Sequence, residues 1–323
     1  MMQIDTREDL QSDKKIAVQF FGHLRTFRDT FPYFAKNIVE VNRKNGYDVD
    51  VFIHTWNELD HSSVTYRNHE GKPLTDKKLQ ESDIEFIKTM YQPKAMLIEP
   101  QLAYEDVVFI EKLGSPRSKR SCYNNSYTIY KVNELRNQYE KEYNTVYDWV
   151  ITTRLDILFM SPFDITQIFQ LYTTYNFQPP SSGIFYASAP YTRGNVIDDP
   201  QFVAATDLIY LATPQNMDKA TQIYPVFEEN MKVEDFYSLE GWWYSFWVEQ
   251  GLIPYSMDYI YFRDFWVVFS PISKFHSKQR ILRLKTLLRK IEKEMLSLLP
   301  YCFVRKRIKR LAQKITKAKK EMV

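Results

Sequence analysis

The sequence predicts an α/β fold in which a mainly parallel sheet carries helices on both faces. Segments with the composition of strands alternate with segments of helical spacing along the first half of the chain. The run V-I-T-T-R-L-D-I-L-F at Val150–Phe159 is apolar and β-branched, as expected of a buried strand. With 323 residues and 44% hydrophobic content, the chain can bury a large core.

The first half of the chain reads strand, helix, strand, helix, strand, helix, strand. The predicted strands are Lys14–Phe21, Val49–Ile53, Ala95–Ile98 and a segment within Tyr147–Phe159. The predicted helices between them are Phe31–Val41, Asp83–Tyr91 and Ser121–Glu142. Because parallel strands need a crossover connection, this alternation favours parallel pairing.

The second half continues with strands and aromatic-rich helices. Gly183–Ala187 and Val203–Leu211 are predicted strands, and Tyr259–Phe269 is predicted as a last aromatic strand. Thr213–Glu229 and Ser238–Glu249 are predicted helices. The second of these contains three tryptophans, which indicate either a core-facing helix or a surface that stacks on a sugar ring.

Charge divides the chain into two predicted parts, a body at 1–275 and a basic helical tail at 276–323. His276–Val323 holds 16 Lys/Arg and 3 Asp/Glu, so the rest of the chain is acidic although the net charge is only +3. Apolar residues recur in the tail at alternating spacings of three and four, which is typical of an amphipathic helix. We expect the tail to bind an anionic membrane surface. The alternatives are packing on the body or a second subunit, and binding of nucleic acid, which the apolar stripe disfavours.

Composition excludes several classes of site. Glycine is rare, with 8 residues, and neither a P-loop nor a G-x-G-x-x-G motif occurs. The two cysteines lie far apart and fit a reducing compartment, and the polar N-terminus does not resemble a secretory signal. No apolar stretch is long enough to cross a bilayer. We therefore expect a cytoplasmic protein that associates peripherally with the inner face of the cytoplasmic membrane.

Arg154 and Asp156 are two charged residues within the strand-like run at Val150–Phe159. Alternation places both side chains on one face, and buried charges are costly unless they are paired or meet a metal or a charged ligand. If the strand ends near Thr153, the pair lies at the carboxyl edge of the sheet, where open α/β sheets bind ligands. Asp156 could then hold Mg²⁺ or Mn²⁺, and Arg154 could bind phosphate or orient Asp156. The alternative is a purely structural Arg–Asp pair.

The exits of the first two predicted strands supply further candidates for ligand binding. Gly22 would let the backbone approach a ligand closely, and His23 and Arg25 follow it. Thr55 lies at the exit of the second strand and would face the same crevice. A solvated basic loop and simple packing of the strand edge are the structural alternatives.

The start of the helix Ser121–Glu142 carries Asn124 and, two turns on, Lys131. A helix N-terminus with free N–H groups suits an anion, and Lys131 would add a positive charge. Ordinary N-capping explains Asn124 equally well.

Two acids are candidate general bases. Asp207 opens an apolar run, and Glu240 lies in the first turn of the tryptophan-rich helix. A base that deprotonates an acceptor hydroxyl must be a carboxylate or a histidine. An acid favoured by the helix dipole is the structural alternative for Glu240. The histidine spacing does not favour a zinc site.

The segments K-I-A-V-Q-F-F-G-H-L-R-T-F and V-D-V-F-I-H-T-W resemble the opening of bacterial glycosyltransferases that build capsule and lipopolysaccharide glycans. Later motifs of that family, Y-S-x-x-K, Y-D-x-V-I-R-x-R-x-D-I-x-F and D-x-F-x-x-G-S-x-x-x-M, are similar to Asn125–Lys131, Tyr147–Phe159 and Asp207–Met217. The chain departs from the pattern at Ala212, where glycine is usual, and at Thr152, where the family often has arginine.

The resemblance extends over Lys14–Phe269 and implies a GT-A-like, Rossmann-like fold that uses a nucleotide sugar. It also implies that Arg154 and Asp156 stand where many such enzymes have Asp-x-Asp, so one carboxylate of a metal-binding motif is missing. We expect transfer of a sugar from a nucleotide-sugar donor to a surface glycan or lipid-linked acceptor. The alternative is a membrane-surface or nucleic-acid binding protein with a non-catalytic α/β body.

Overall fold

A seven-stranded, mostly parallel sheet flanked by helices forms the centre of the structure, a computed structural model that describes residues 14–60, 77–102, 119–174, 178–188, 206–227 and 239–268. The described strands are β1 (Lys14–Phe21), β2 (Tyr47–Trp56), β3 (Ala95–Glu99), β4 (Trp149–Arg154), β5 (Ile157–Phe159), β6 (Gly183–Ser188), β7 (Ile209–Ala212), β8 (Ile253–Ile260) and β9 (Phe265–Val267).

Helices cover both faces of this sheet. The described α-helices are α1 (Phe27–Phe34), α2 (Glu40–Lys44), α3 (Glu81–Phe86), α4 (Lys119–Tyr143), α5 (Ile165–Thr174), α6 (Pro214–Ala220) and α7 (Leu239–Glu249). Two π-helical segments, Ala35–Val39 and Ile87–Tyr91, continue α1 and α3. The α/β class and the mainly parallel sheet are confirmed, and the arrangement is Rossmann-like.

The strand order of the main sheet is β3-β2-β1-β4-β7-β6-β8. β1 pairs in parallel with both β2 and β4, and β2 pairs in parallel with β3. β7 runs antiparallel to both of its neighbours, β4 and β6, whereas β8 is parallel to β6. The chain thus moves outwards from β1 to β3 and then returns past β1 to β4. This reversal creates a switch point between the carboxyl ends of β1 and β4.

β1 and β4 are apolar on both faces because both faces are covered. Alternate residues of β1 enter two hydrophobic layers, one that contains Phe27 and Phe34 of α1 and one that contains Ile129 and Val132 of α4. Burial on both sides explains why these strands read as nearly continuous apolar runs. The polar residues within them therefore need partners inside the protein.

Two predicted strands are each divided in the structure. The segment Tyr259–Phe269, predicted as one strand, contains the end of β8, a turn at 261–264 and β9. Asp264 forms this turn, because its carboxylate accepts the backbone N–H of Ile260 at 2.8 Å. The run at Val150–Phe159 is divided after Arg154, where β5 leaves the main sheet and pairs antiparallel with β9. The strand therefore ends one residue beyond the predicted Thr153.

Other boundaries also differ from the prediction. Helix α5 was not predicted. In the described part of the helix predicted at Thr213–Glu229, α6 is the regular element. Of the strand predicted at Val203–Leu211 the structure describes residues 206–211, and β7 begins there at Ile209. Residues 269–323 are not described, so the predicted tail helices lie outside the described residues. In the described part of the chain, no helix is both long enough and apolar enough to span a bilayer.

Candidate functional site

The candidate site lies at the carboxyl edge of the sheet, where β1 and β4 diverge at the switch point. Residues 22–25 follow β1, and residues 155–156 follow β4. The two strands are in register up to the pair Phe21 and Arg154, so their exits lie side by side. Open α/β sheets bind ligands in this position because helices on opposite faces leave a crevice there.

Asp156 joins the two exits. Its carboxylate accepts two hydrogen bonds from Arg154, from Nε at 2.9 Å and from Nη2 at 2.6 Å. Oδ2 also accepts Nη1 of Arg25 at 2.5 Å. The Asp156 side chain is fully buried, whereas that of Arg154 keeps 11% of its surface exposed. The carboxylate of Asp156 is therefore shielded from solvent, and Arg154 is the more accessible member of the pair.

Arg25 is held from a second side by Asp60, whose Oδ1 accepts Nε of Arg25 at 3.0 Å. The backbone of Arg25 has a left-handed conformation, with φ of 44°, and its N–H bonds to the carbonyl of Leu59 at 3.0 Å. A left-handed conformation is unfavourable for a residue with a side chain and is kept only where the surroundings fix it. The sequence analysis did not identify Asp60, because no local pattern relates it to Arg25.

These four residues form a charge cluster of two arginines and two aspartates, Arg25, Arg154, Asp60 and Asp156. The pairing predicted for Arg154 and Asp156 is present, and Arg25, predicted separately, belongs to the same cluster. Buried charges that are paired and hydrogen-bonded on several sides avoid much of the desolvation penalty. The two guanidinium groups are thereby held in fixed positions at the exits of β1 and β4.

A divalent cation does not fit this arrangement at Asp156. Both carboxylate oxygens are engaged by guanidinium groups, whose positive charge would repel a metal ion. Among the residues that the structure describes, no group of three His, Cys, Asp or Glu side chains could hold a metal ion. In this structure Asp156 is the hydrogen-bond partner of the two arginines, and its role as a ligand of Mn²⁺ or Mg²⁺ stays a prediction.

Gly22 has the open backbone position that the sequence predicts. Its φ of +86° favours glycine, and an added Cβ would meet no atom within 4 Å. Its N–H is donated to Oγ1 of Thr128 on α4 at 3.0 Å, which ties the turn after β1 to that helix. His23 follows in a buried position, with its ring 6.4 Å from that of Trp56.

A hydrogen-bonded chain runs from this turn to the end of β3. Nδ1 of His54 lies 2.6 Å from Oγ1 of Thr128, and Nε2 of His54 lies 2.9 Å from Oε2 of Glu99. Tyr127 donates its hydroxyl to the same oxygen of Glu99 at 3.0 Å. No local sequence pattern singles out His54, Thr128 or Glu99, because these residues meet only when α4 packs on the sheet.

Burial and hydrogen bonding set the protonation states of His54 and Glu99 in this row of hydrogen-bonded side chains. Burial lowers the pKa of His54 from 6.5 to about 4, although the hydrogen bond and charge of Glu99 oppose the shift. Burial raises the pKa of Glu99, but hydrogen bonds from His54 and Tyr127, with the charges of His54 and Lys131, outweigh it and lower the net pKa. Near pH 7, Glu99 is ionised and His54 is neutral. The ring therefore donates from Nε2 and accepts the Thr128 hydroxyl at Nδ1.

We expect the free energy of unfolding to fall as the pH is lowered from 6.5 towards 4. The folded pKa of His54 is below its unfolded value, so the unfolded chain binds more protons in this interval and acid favours unfolding. The full penalty is up to about 3 kcal/mol for such a shift. Glu99, whose folded pKa is also lowered, acts in the same direction. Urea unfolding at a series of pH values measures the slope.

The variant His54→Gln is the control for this pH dependence, because its side chain does not titrate. It should lose part of the slope between pH 6.5 and 4 and keep the remainder. An unchanged slope in the variant would contradict the assignment of the buried neutral histidine.

The other three predicted donor-binding residues have different surroundings. Thr55 is fully buried, and its hydroxyl has no hydrogen-bond partner among the described residues. Asn124 is buried and bonds through both amide atoms to the backbone of Leu102, which gives it a structural role. Lys131 pairs with Glu134 at 2.6 Å, and its ammonium lies 6.0 Å from the Tyr127 ring. No described contact joins these three residues to the charge cluster.

The two predicted bases are located only in part. Asp207 is half-buried and precedes β7, at the edge where β4 ends, because Thr153 pairs with Ile209 in antiparallel register. Its position is therefore on the same edge as the charge cluster. Glu240 is the second residue of α7, and its side chain is outside the described atoms. Two tryptophans of this helix, Trp243 and Trp247, are buried in the core. This agrees with the core-facing helix, one of the two alternatives predicted for this segment.

A buried polar network lies beneath the site, between α4 and the sheet. Thr152 donates to Gln19 at 2.8 Å, and Gln19 donates to Asn133 of α4 at 3.0 Å. Arg136, whose side chain is fully buried, donates to Asn133 at 3.0 Å and forms ion pairs with Asp218 and Glu140. The network fixes α4, and with it Thr128, against the two strands that carry the charge cluster.

Comparison with known proteins assigns no family to this chain. No protein-family model matches the chain, and no curated protein matches it. The arrangement of Arg25, Arg154, Asp156 and Gly22 is therefore the feature from which a function can be inferred.

Proposed function

We propose that this protein is a glycosyltransferase that takes a sugar from a nucleotide-sugar donor. One observation carries the proposal: guanidinium groups from the exits of β1 and β4, Arg25 and Arg154, converge on one buried carboxylate at the switch point of the sheet. Nucleotides bind at this position in open α/β folds. The motifs around these residues also resemble those of bacterial capsule and lipopolysaccharide glycosyltransferases.

The reaction explains why two oriented arginines are useful. The bond between the anomeric carbon and the donor diphosphate breaks, and the electron pair leaves with the diphosphate. Arginine binds phosphate oxygens through paired N–H groups and stabilises the negative charge that develops on the leaving group. In this proposal Arg154 and Arg25 contact the diphosphate, and the backbone at Gly22 lies close to the nucleotide because no side chain intervenes.

Asp156 is a positioning residue in this scheme. It fixes both guanidinium groups by hydrogen bonds at 2.5–2.9 Å, and in this proposal the exposed part of the Arg154 side chain meets the diphosphate. The leaving group is then neutralised by fixed arginines and not by a divalent cation. The charges of Asp60 and Asp156 balance those of the arginines, so anion binding depends on oriented N–H groups more than on net charge.

The acceptor must lose a proton as the new bond to the anomeric carbon forms. Asp207 is the better-placed candidate for the general base, because it lies on the edge where β4 ends. Glu240 in the first turn of α7 is the second candidate. We propose a surface glycan or a lipid-linked glycan as the acceptor, reached at the inner face of the cytoplasmic membrane. Each basic residue of the tail near an anionic leaflet would contribute about 1 kcal/mol to binding.

A thermal-shift experiment with nucleoside diphosphates tests the proposal. We expect one compound among UDP, GDP and TDP, or CMP for donors that carry a monophosphate, to raise the Tm of the full chain by about 5 °C near saturation. The shift should persist in EDTA and should not grow when Mn²⁺ is added, because the arginines supply the positive charge.

The matched control is the corresponding nucleoside without phosphate, which should give a much smaller shift. A shift that requires Mn²⁺ would contradict the role given to the arginines. No shift with any of these nucleotides, in EDTA or Mn²⁺, would contradict the proposed function itself.

A further inference from the structure

The turn between β8 and β9 carries a compact group of aromatic rings on the surface. The Phe262 ring lies 4.0 Å from that of Tyr261 and 4.4 Å from that of Trp266. Phe262 keeps 44% of its surface exposed, and the side chain of Arg263 beside it keeps 52%. We call residues 261–266 the aromatic turn.

Phe262 has a strained backbone, with φ of 72°. A bulky residue is an outlier in this left-handed region, where glycine or asparagine is favoured. Of the exposed large apolar side chains in the described ranges, Phe262 is the one that also has a positive φ. Local stability alone would favour glycine at this position, so the exposed ring is kept at a cost in backbone energy.

The turn around Phe262 is held firmly, so the ring is presented in a fixed direction. The backbone N–H of Phe262 bonds to the carbonyl of Phe265 at 2.9 Å. The buried carboxylate of Asp264 accepts the backbone N–H of Ile260 and Nε of Arg263. A rigid, exposed aromatic group of this kind loses little conformational entropy when it binds an apolar or amphipathic surface.

The composition of the aromatic turn matches a bilayer interface. Tryptophan and tyrosine favour the headgroup level, and phenylalanine favours the acyl boundary. Arg263 is paired with Asp258 and Asp264, so the turn offers its aromatic rings to the interface and no free positive charge. β8 runs parallel to β6, and β6 and β4 are both antiparallel to β7, so the turn follows the same sheet edge as the candidate site. The chain then continues from β9 into the basic tail, which holds 16 Lys/Arg against 3 Asp/Glu.

We infer that the aromatic turn is a membrane-contact site in which Phe262 inserts into the interface of an anionic bilayer. The contact belongs to the folded body and is separate from any contact that the tail makes. It does not depend on the proposed transfer reaction. Its occupant is a lipid interface, because the basic tail that follows in the chain is complementary in charge to anionic headgroups.

Binding of the full chain to vesicles tests this inference. The probes are phosphatidylcholine vesicles with and without phosphatidylglycerol, and the variants are Phe262→Gly and Phe262→Asn, because both new residues tolerate a positive φ. We expect each variant to bind anionic vesicles about fivefold to tenfold more weakly than the wild type, since one aromatic side chain is lost from the interface. The Tm should change by no more than about 2 °C, because relief of strain offsets lost ring contacts.

Tyr143→Asn is the matched control. Tyr143 is an exposed aromatic residue that also stacks on a neighbouring ring, Tyr139 at 4.4 Å, and it lies at the far end of α4. Its loss should leave vesicle binding unchanged. Unchanged binding in both Phe262 variants would overturn the inference. A second result would also overturn it: a large fall in Tm in one Phe262 variant, with unchanged vesicle binding in the other variant that stays folded. The ring would then serve packing alone.

Discussion

The Arg154→Ala variant is expected to lose at least about a hundredfold in kcat/KM for turnover of the nucleotide-sugar donor, because one oriented donor to a developing charge is worth roughly 3 kcal/mol. Arg154 is bonded to Asp156 through two N–H groups, and its side chain is more exposed than that of Arg25, at 11% against 5%. The Kd for the nucleoside diphosphate should rise in parallel. Donor hydrolysis and calorimetric titration measure the two quantities.

Two further variants make this result specific. Arg154→Lys keeps the positive charge but loses the paired N–H groups, so its activity should be intermediate. Arg28→Ala removes another paired arginine, which lies close to Arg25 in the sequence and bonds to Asp83 on α3 at 2.9 Å, and it should keep nearly full activity. Wild-type turnover in Arg154→Ala would remove the residue from the mechanism.

The Arg136→Ala variant is expected to lose about 3 kcal/mol of the free energy of unfolding, because it breaks a buried ion-pair network from one side. The side chain is fully buried, and its loss leaves Asn133 and Asp218 without the guanidinium that joins them. Asp218 and Glu140 keep some exposure to solvent, which limits the penalty. Urea unfolding at pH 7 measures the change.

Arg43→Ala is the control for this prediction. Arg43 is an exposed residue of α2, and its replacement should change the free energy of unfolding by less than about 0.5 kcal/mol. A loss of under about 1 kcal/mol in Arg136→Ala would mean that the network beneath α4 contributes little net stability.

Much of the fold could be predicted from the sequence because its central strands are covered on both faces. Burial on both sides produces the apolar runs at β1, β2 and β4, and the helices between them keep their spacing. The strands in the second half of the chain were harder to predict. The division of the aromatic segment into β8 and β9 depends on the turn formed by Asp264, and β5 pairs with a strand more than a hundred residues later. Such long-range pairings leave no local signal.

For the candidate site, individual residues could be predicted from the sequence, but most of the contacts between them could not. Gly22, Arg25, Arg154 and Asp156 could be found because charges and glycine stand out at the ends of apolar strands. The joining of Arg25 and Arg154 by Asp156 could not be found, because it depends on the register of β1 with β4. Other contacts, such as the hydrogen bonds that join Thr128 to Glu99 through His54, are formed only when α4 packs on the sheet. For Asp156 the structure contains the pairing with Arg154 that the sequence offered as one alternative, and it adds Arg25 as a second partner.

The role of the two arginines can be tested by a structure of the protein with a nucleoside diphosphate, obtained in EDTA. We expect diphosphate oxygens within hydrogen-bond distance of the Arg154 and Arg25 guanidinium groups, with Asp156 still bonded to both arginines and the nucleotide passing over Gly22. A nucleotide bound elsewhere, or a diphosphate held by a metal ion on Asp156, would contradict it.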